Sequence, residues 1–145
     1  MANKKIALAL GLLLSISFCA IAQNKKTPTK PTTVIDKKVL ANGQKVYETV
    51  CTVCHQSDGG GVPGLNPPLI GTDWVLGSKS RLIGIVLKGL QEKIEINGDS
   101  YDNIMPANDY LTDQEIANVL TFVRNSFGNK ASAVKAEEVK ALRSK

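Results

Sequence analysis

"ETVCTVCHQSDGGG", residues Glu48 to Gly61, places Cys51 and Cys54 directly ahead of His55, the only histidine in the chain. Two thiols and an imidazole set this closely can act as a redox pair, a metal clip or the anchor of a larger group. Each use makes different demands on the flanking sequence, which therefore decides among them.

On the N-terminal side, Asp36 suits the cap of a helix whose apolar positions Val39, Val46, Tyr47 and Val50 recur at helical spacing, with Gly43 on the same stripe. A glycine on an apolar stripe lets a second helix cross closely. Its partner lies far along the chain. Thr112 and Glu115 form a capping box, and Ile116, Val119, Leu120, Val123 and Phe127 follow at helical spacing up to Gly128. The two helices are expected to pack together. Between them, Gly59 to Pro68 holds four glycines and three prolines and reads as loop, and Ser80 to Lys88 reads as a short apolar helix stopped by Gly89. Ile94-Glu95-Ile96 alternates before Asn97-Gly98, which predicts a small hairpin returning through Tyr101 toward Met105. Ala133 to Arg143, with Val134, Val139 and Leu142, predicts one more amphipathic helix, packed only loosely. The chain shows no internal repeat.

The first residues are not expected to belong to the fold. Lys4 and Lys5 precede an apolar run from Ile6 to Ile21, closed by Ala20-Ile21-Ala22, the order of a secretory signal cleaved after Ala22. The run is shorter than the roughly 20 residues of a spanning helix, which weighs against a retained anchor. Cys19 raises lipidation as a further option, but Phe18 is bulky where lipoprotein signals resemble a small residue. Residues 23–33, rich in Lys, Thr and Pro, lack the apolar content for a core and read as a flexible linker. A folded domain over 34–128 and a C-terminal extension over 129–145 complete the expected organisation.

Without residues 1–22 the chain keeps 16 basic and 13 acidic residues, a balance of +3. The basic arm Lys25, Lys26, Lys30, Lys37 and Lys38 carries no interleaved aromatics, so it reads as a solvated linker and not as a nucleic-acid footprint. Export leaves only Cys51 and Cys54, in a compartment where free thiols oxidise.

A thioredoxin-like pair needs a thiolate at a helix start in a βαβ unit, whereas these cysteines end a helix and no parallel-strand pattern exists. Structural zinc needs four ligands, and no second Cys-x-x-Cys or His pair is present. A disulfide closing so short a loop contributes little and leaves His55 unexplained. C-x-x-C-H is the attachment pattern for c-type haem, in which two thioethers fix the porphyrin and the adjacent histidine reaches the iron. A small loop-rich domain with 5% aromatic residues also has limited apolar area to set against chain entropy, which a buried apolar cofactor would supply.

A second axial ligand is sought among few candidates. The mature chain holds no other histidine and one methionine, Met105, in the stretch Ile104-Met105-Pro106-Ala107. Lysine ligation has no motif behind it.

From Val39 to Phe127 the sequence resembles a class I c-type cytochrome. The resemblance rests on an ordered series: Gly43-x-x-x-Tyr47, Cys51-x-x-Cys54-His55, Pro67-Pro68-Leu69-x-Gly71, Met105-Pro106, and the helix through Val119, Phe122 and Val123. "GQKVYETVCTVCHQSDGGGVPGLNPPLIGTDW" and "INGDSYDNIMPAND" look most similar to the small haem domains that accompany periplasmic dehydrogenases or are fused to some copper nitrite reductases. The resemblance implies a mostly α fold whose terminal helices cross near Gly43 and Phe122 around a loop-rich haem pocket. It also implies a loop proline carbonyl accepting from the His55 ring, assigned to Pro67 with Pro68 as rival. An acceptor on the second imidazole nitrogen is a physical need of any iron-binding histidine. Trp74 and Tyr101 are expected to line the haem or to serve as amphipathic core, and Arg81 is expected to pair with a propionate or to stand exposed at a helix start.

The expected cofactor set is one covalent haem c on Cys51 and Cys54, with iron held by His55 and Met105. Two filled axial positions leave no site for substrate, so a one-electron carrier is expected, and not an enzyme. A peroxidase or nitrite-reducing haem with a labile Met105, and a haem-based redox sensor, are the alternatives. Expected partners are a dehydrogenase or quinol-oxidising complex as donor and an oxidase or reductase as acceptor, met by a periplasmic or secreted monomer that could associate with a membrane only through its N-terminal segment.

Overall fold

Asp36 caps the first helix: its carboxylate accepts from the Lys38 backbone N–H at 2.8 Å, and α1 runs Lys37–Val46. The computed structural model describes residues 35–144, so the signal and linker expectations over 1–22 and 23–33 lie outside the described residues.

The helix changes pitch before the cysteines. Tyr47–Cys51 winds as a π turn, and α2, Thr52–His55, completes the segment. Residue spacing carries no signal for such a turn, which is why the sequence reads as one continuous helix. α3, Asp73–Leu76, is capped by Thr72 and has no counterpart in the sequence reading. α4 runs Lys79–Lys88 between the Ser78 cap and Gly89, whose φ of 75° ends it. The hairpin forms as expected, with β1 (Ile94–Ile96) antiparallel to β2 (Asp99–Tyr101) and Ile94 opposite Tyr101. Asn97 and Gly98 take φ of 54° and 88°, the pair of left-handed positions this two-residue turn requires. Beyond the hairpin, Leu90 and Met105 exchange both backbone hydrogen bonds at 2.9 Å.

α5, Asp113–Val123, carries the Thr112–Glu115 capping box. It stops at Val123 and does not continue to Gly128. Phe127 turns back at φ 56° and places its ring 5.3 Å from that of Tyr47 and 5.7 Å from that of Phe122. α1 crosses α5 at Gly43, where a Cβ would collide with the Asn118 carbonyl and lie 2.7 Å from the Phe122 Cβ.

α6, Ala136–Arg143, corrects a second expectation, because it is packed tightly. Val139 is 0% exposed and shares the core with Ile83 and Ile116. Its approach is fixed by buried polar groups: the Thr121 hydroxyl accepts from Val134 N at 2.9 Å, and Asn129 Nδ2 donates to Leu69 O and Val123 O at 2.9 and 2.8 Å. The buried Arg124 guanidinium donates to the carbonyls of Val75, Gly77 and Ser132. Sparse apolar residues in 129–145 conceal this, since the partners supply most of the burial. At the far end Arg143 donates to Asp109 O and Leu111 O, both at 2.6 Å, and to Asp113 Oδ1 at 2.7 Å, gripping the stretch that follows Met105. No helix among the described residues is long and apolar enough to cross a membrane.

Candidate functional site

The π turn and α2 deliver Cys51, Cys54 and His55 to one wall of an apolar cleft with an open volume of about 1140 Å³, its mouth included. Gln56, at φ 60°, ends α2 immediately after His55, and Gly61 N donates to His55 O at 3.1 Å as the loop folds back. That loop brings Pro67 O within 3.0 Å of His55 Nδ1. A carbonyl can only accept, so Nδ1 carries the proton and Nε2 keeps a bare lone pair. Burial pulls the His55 pKa down against the opposing pull of the Pro67 bond, which favours the neutral ring. Pro67, and not Pro68, supplies the acceptor.

The cysteines are half-buried free thiols. Burial, then the neighbouring Cys54, pushes the Cys51 thiol up to about 11. That is the reverse of the low-pKa thiolate a dithiol redox catalyst requires. Among the described residues no three His, Cys, Asp or Glu side chains gather as a metal site.

Met105 lines the same cleft, half-buried, on a backbone held by Leu90 on one side and by the Asn108–Leu111 turn on the other. Trp74 and Tyr101 line it as well, and Arg81 stacks over the Trp74 ring at 4.8 Å. Sequence reasoning missed two supports behind these groups. A side chain on Gly61, at φ 67°, would stand 2.7 Å from Pro67 O, and one on Gly89 would stand 2.5 Å from Met105 O. Both positions need glycine for the candidate groups to reach the cleft. It also missed Asn66 and Asn103, joined by a 2.8 Å side-chain hydrogen bond that closes the loop of Pro67 onto the stretch of Met105. The glycine run at Gly59 to Gly61 was the available signal for the first support; nothing in the local sequence marks the asparagine pair.

The donor set fits haem: two thiols beside a vacant imidazole nitrogen, a thioether, and walls apolar enough to cover a porphyrin. Comparison with known proteins agrees. The family model for cytochrome c matches residues 40–127. Cytochrome c-552 of Thermus thermophilus is 41% identical over 115 residues, 72% of this chain and 86% of that protein. The fructose dehydrogenase cytochrome subunit of Gluconobacter japonicus is 36% identical over 110 residues, and the cytochrome c subunit of a quinone alcohol dehydrogenase from Gluconacetobacter polyoxogenes 34% over 103; each match covers 70% of this chain but 22% of the subunit. The chain belongs to the cytochrome c family. Its cofactor is a covalently bound haem c, for which the Cys51 and Cys54 spacing is suited, and it is an electron-transfer protein that works with redox protein partners.

Proposed function

We propose that this chain is an exported monohaem carrier that shuttles one electron at a time between a dehydrogenase or quinol-oxidising complex and a terminal oxidase or reductase. Cys51 and Cys54 would tether the porphyrin, and His55 Nε2 and the Met105 sulfur would hold the iron. The observation that carries this reading is the convergence of all four side chains on one cleft, with His55 pinned by Pro67 O at 3.0 Å. When bound, the haem supplies a one-electron couple. The chain's own part is to keep water out, to hold the imidazole by its second nitrogen, and to keep Met105 on a braced backbone so that ligation survives the change of charge. The signal-like order of residues 1–22 supports export of a domain tethered by residues 23–33.

A ferric optical spectrum tests the ligand set. The weak near-infrared band of methionine-ligated low-spin haem is expected in the native protein and absent in Met105→Ala, with the reduction potential lowered. A variant spectrum identical to the native one would reject Met105 as ligand.

A further inference from the structure

Three stretches that contribute to the lining of the cleft, residues 49–57, 59–72 and 103–108, hold no Asp, Glu, Lys or Arg among their 29 residues. Four of the six large apolar side chains most exposed among the described residues fall in these stretches: Val53 at 81%, Ile104 at 61%, Leu65 at 48% and Ile70 at 43%. The stretches are tied together by Gly61 N on His55 O at 3.1 Å and by the Asn66–Asn103 bond at 2.8 Å.

Each stretch ends on acids in the sequence: Glu48 and Asp58 flank the first, Asp58 and Asp73 the second, Asp102 and Asp109 the third, and all five are exposed. Glu92 lines the cleft itself. From Val46 through Asp113 there are nine acidic residues and four basic ones, although the full chain carries +5. Asp113 is paired with Arg143 at 2.7 Å and Lys79 with Glu138 at 2.5 Å, both partners outside this span, which leaves eight acids against Arg81, Lys88 and Lys93. The positive charge of the chain is concentrated instead toward its ends, as in Lys37, Lys38 and Lys45 before the cleft segments and Lys130, Lys135 and Lys140 after them.

We propose that this acid-fringed apolar rim is the docking face for a redox protein whose own cofactor lies beneath an apolar centre bordered by Lys and Arg. The proposal rests on the electron-carrier reading and specifies its partner class. Opposite fringes steer the encounter, while two apolar centres release water and bring the cofactors close over a patch small enough to separate again. One electron crosses from the reduced to the oxidised protein, and no bond forms or breaks.

The haem-loaded protein is first shown by haem staining and redox titration to be reversibly reducible; failure there would count against the proposed function, not the face. Stopped-flow oxidation then uses tris(phenanthroline)cobalt(III), an apolar trication, and ferricyanide, a hydrophilic trianion, from about 0.01 to 0.5 M ionic strength. The cobalt rate constant is expected to fall about tenfold with salt and the ferricyanide constant to rise, despite the positive net charge of the chain. Slopes of the opposite sign would overturn the proposal. Asp58→Asn with Asp102→Asn should flatten the cobalt slope, and Leu65→Ser with Ile70→Ser should slow cobalt at every salt concentration, both with unchanged spectrum and with rates compared at equal driving force. Rates that merely follow a shifted potential, or a dimer in sedimentation that buries this face, would also overturn it.

Discussion

Tyr47 ties the first helix to the haem-binding stretch through a single hydroxyl, which donates to Gln56 O at 2.6 Å while its ring packs at a tilt against both Phe122 and Phe127. Burial foremost, then the Cys51 thiol where it is free and the charge of Asp58, raises the phenol well above its ordinary 10.0. A raised folded-state value means the contribution of the neutral phenol to stability is complete below pH 10.0 and is lost as pH climbs beyond it. Urea titrations should therefore show an alkaline loss of stability. Tyr47→Phe should be weaker at neutral pH by about 1 kcal/mol, because the Gln56 carbonyl loses its donor, and should lack that part of the alkaline limb. Identical pH profiles for the two proteins would refute the role of the hydroxyl.

Helix α5 begins with a full capping box on Glu115, and α6 with its reciprocal half, Glu138 Oε2 accepting from Lys135 N at 2.8 Å. The Thr112 hydroxyl and backbone N–H hold Glu115 below its usual value of 4.5. For Glu138, burial pushes upward, but the hydrogen bonds from Lys79 and from Lys135 N, with the charges of both lysines, win and lower it from 4.5. Both folded-state values lie below the unfolded one, so this stability is present above pH 4.5 and lost as pH falls through the depressed values. Glu138→Gln is expected to lose at most about 1 kcal/mol at neutral pH, solvent screening being considerable, and to show a shallower acid limb in denaturant titrations. The Thr112–Glu115 capping box, the Asn97-Gly98 turn and the Cys51, Cys54 and His55 cluster were legible because each is written in residue types a few positions apart. The end of α5 was not, since Phe127 continues the helical pattern but is recruited by the Tyr47 and Phe122 rings from outside the helix. The π turn and the Asn66–Asn103 bond were likewise not written in local residue types, whereas the resemblance had already assigned the His55 acceptor to Pro67, where the bond is found.

At the scale of the molecule, residues beyond Gly128 complete the core. Asn129 bridges Leu69, Gly71 and Val123, Arg124 answers the carbonyls of Val75 and Ser132, and Val139 fills the layer between α4 and α5. Val139→Ala should cost about 2 kcal/mol in denaturant unfolding, the scale of a fully buried valine. A cost near zero would place α6 outside the cooperative unit. Arg143 makes the methionine side of the crevice depend on the far end of the chain. Its guanidinium takes Asp109 O and Leu111 O, so the span beyond Met105 is latched only when α6 is docked. Undocking that helix would loosen the sulfur wall of the crevice while His55, held by Pro67 O, keeps its place on the other.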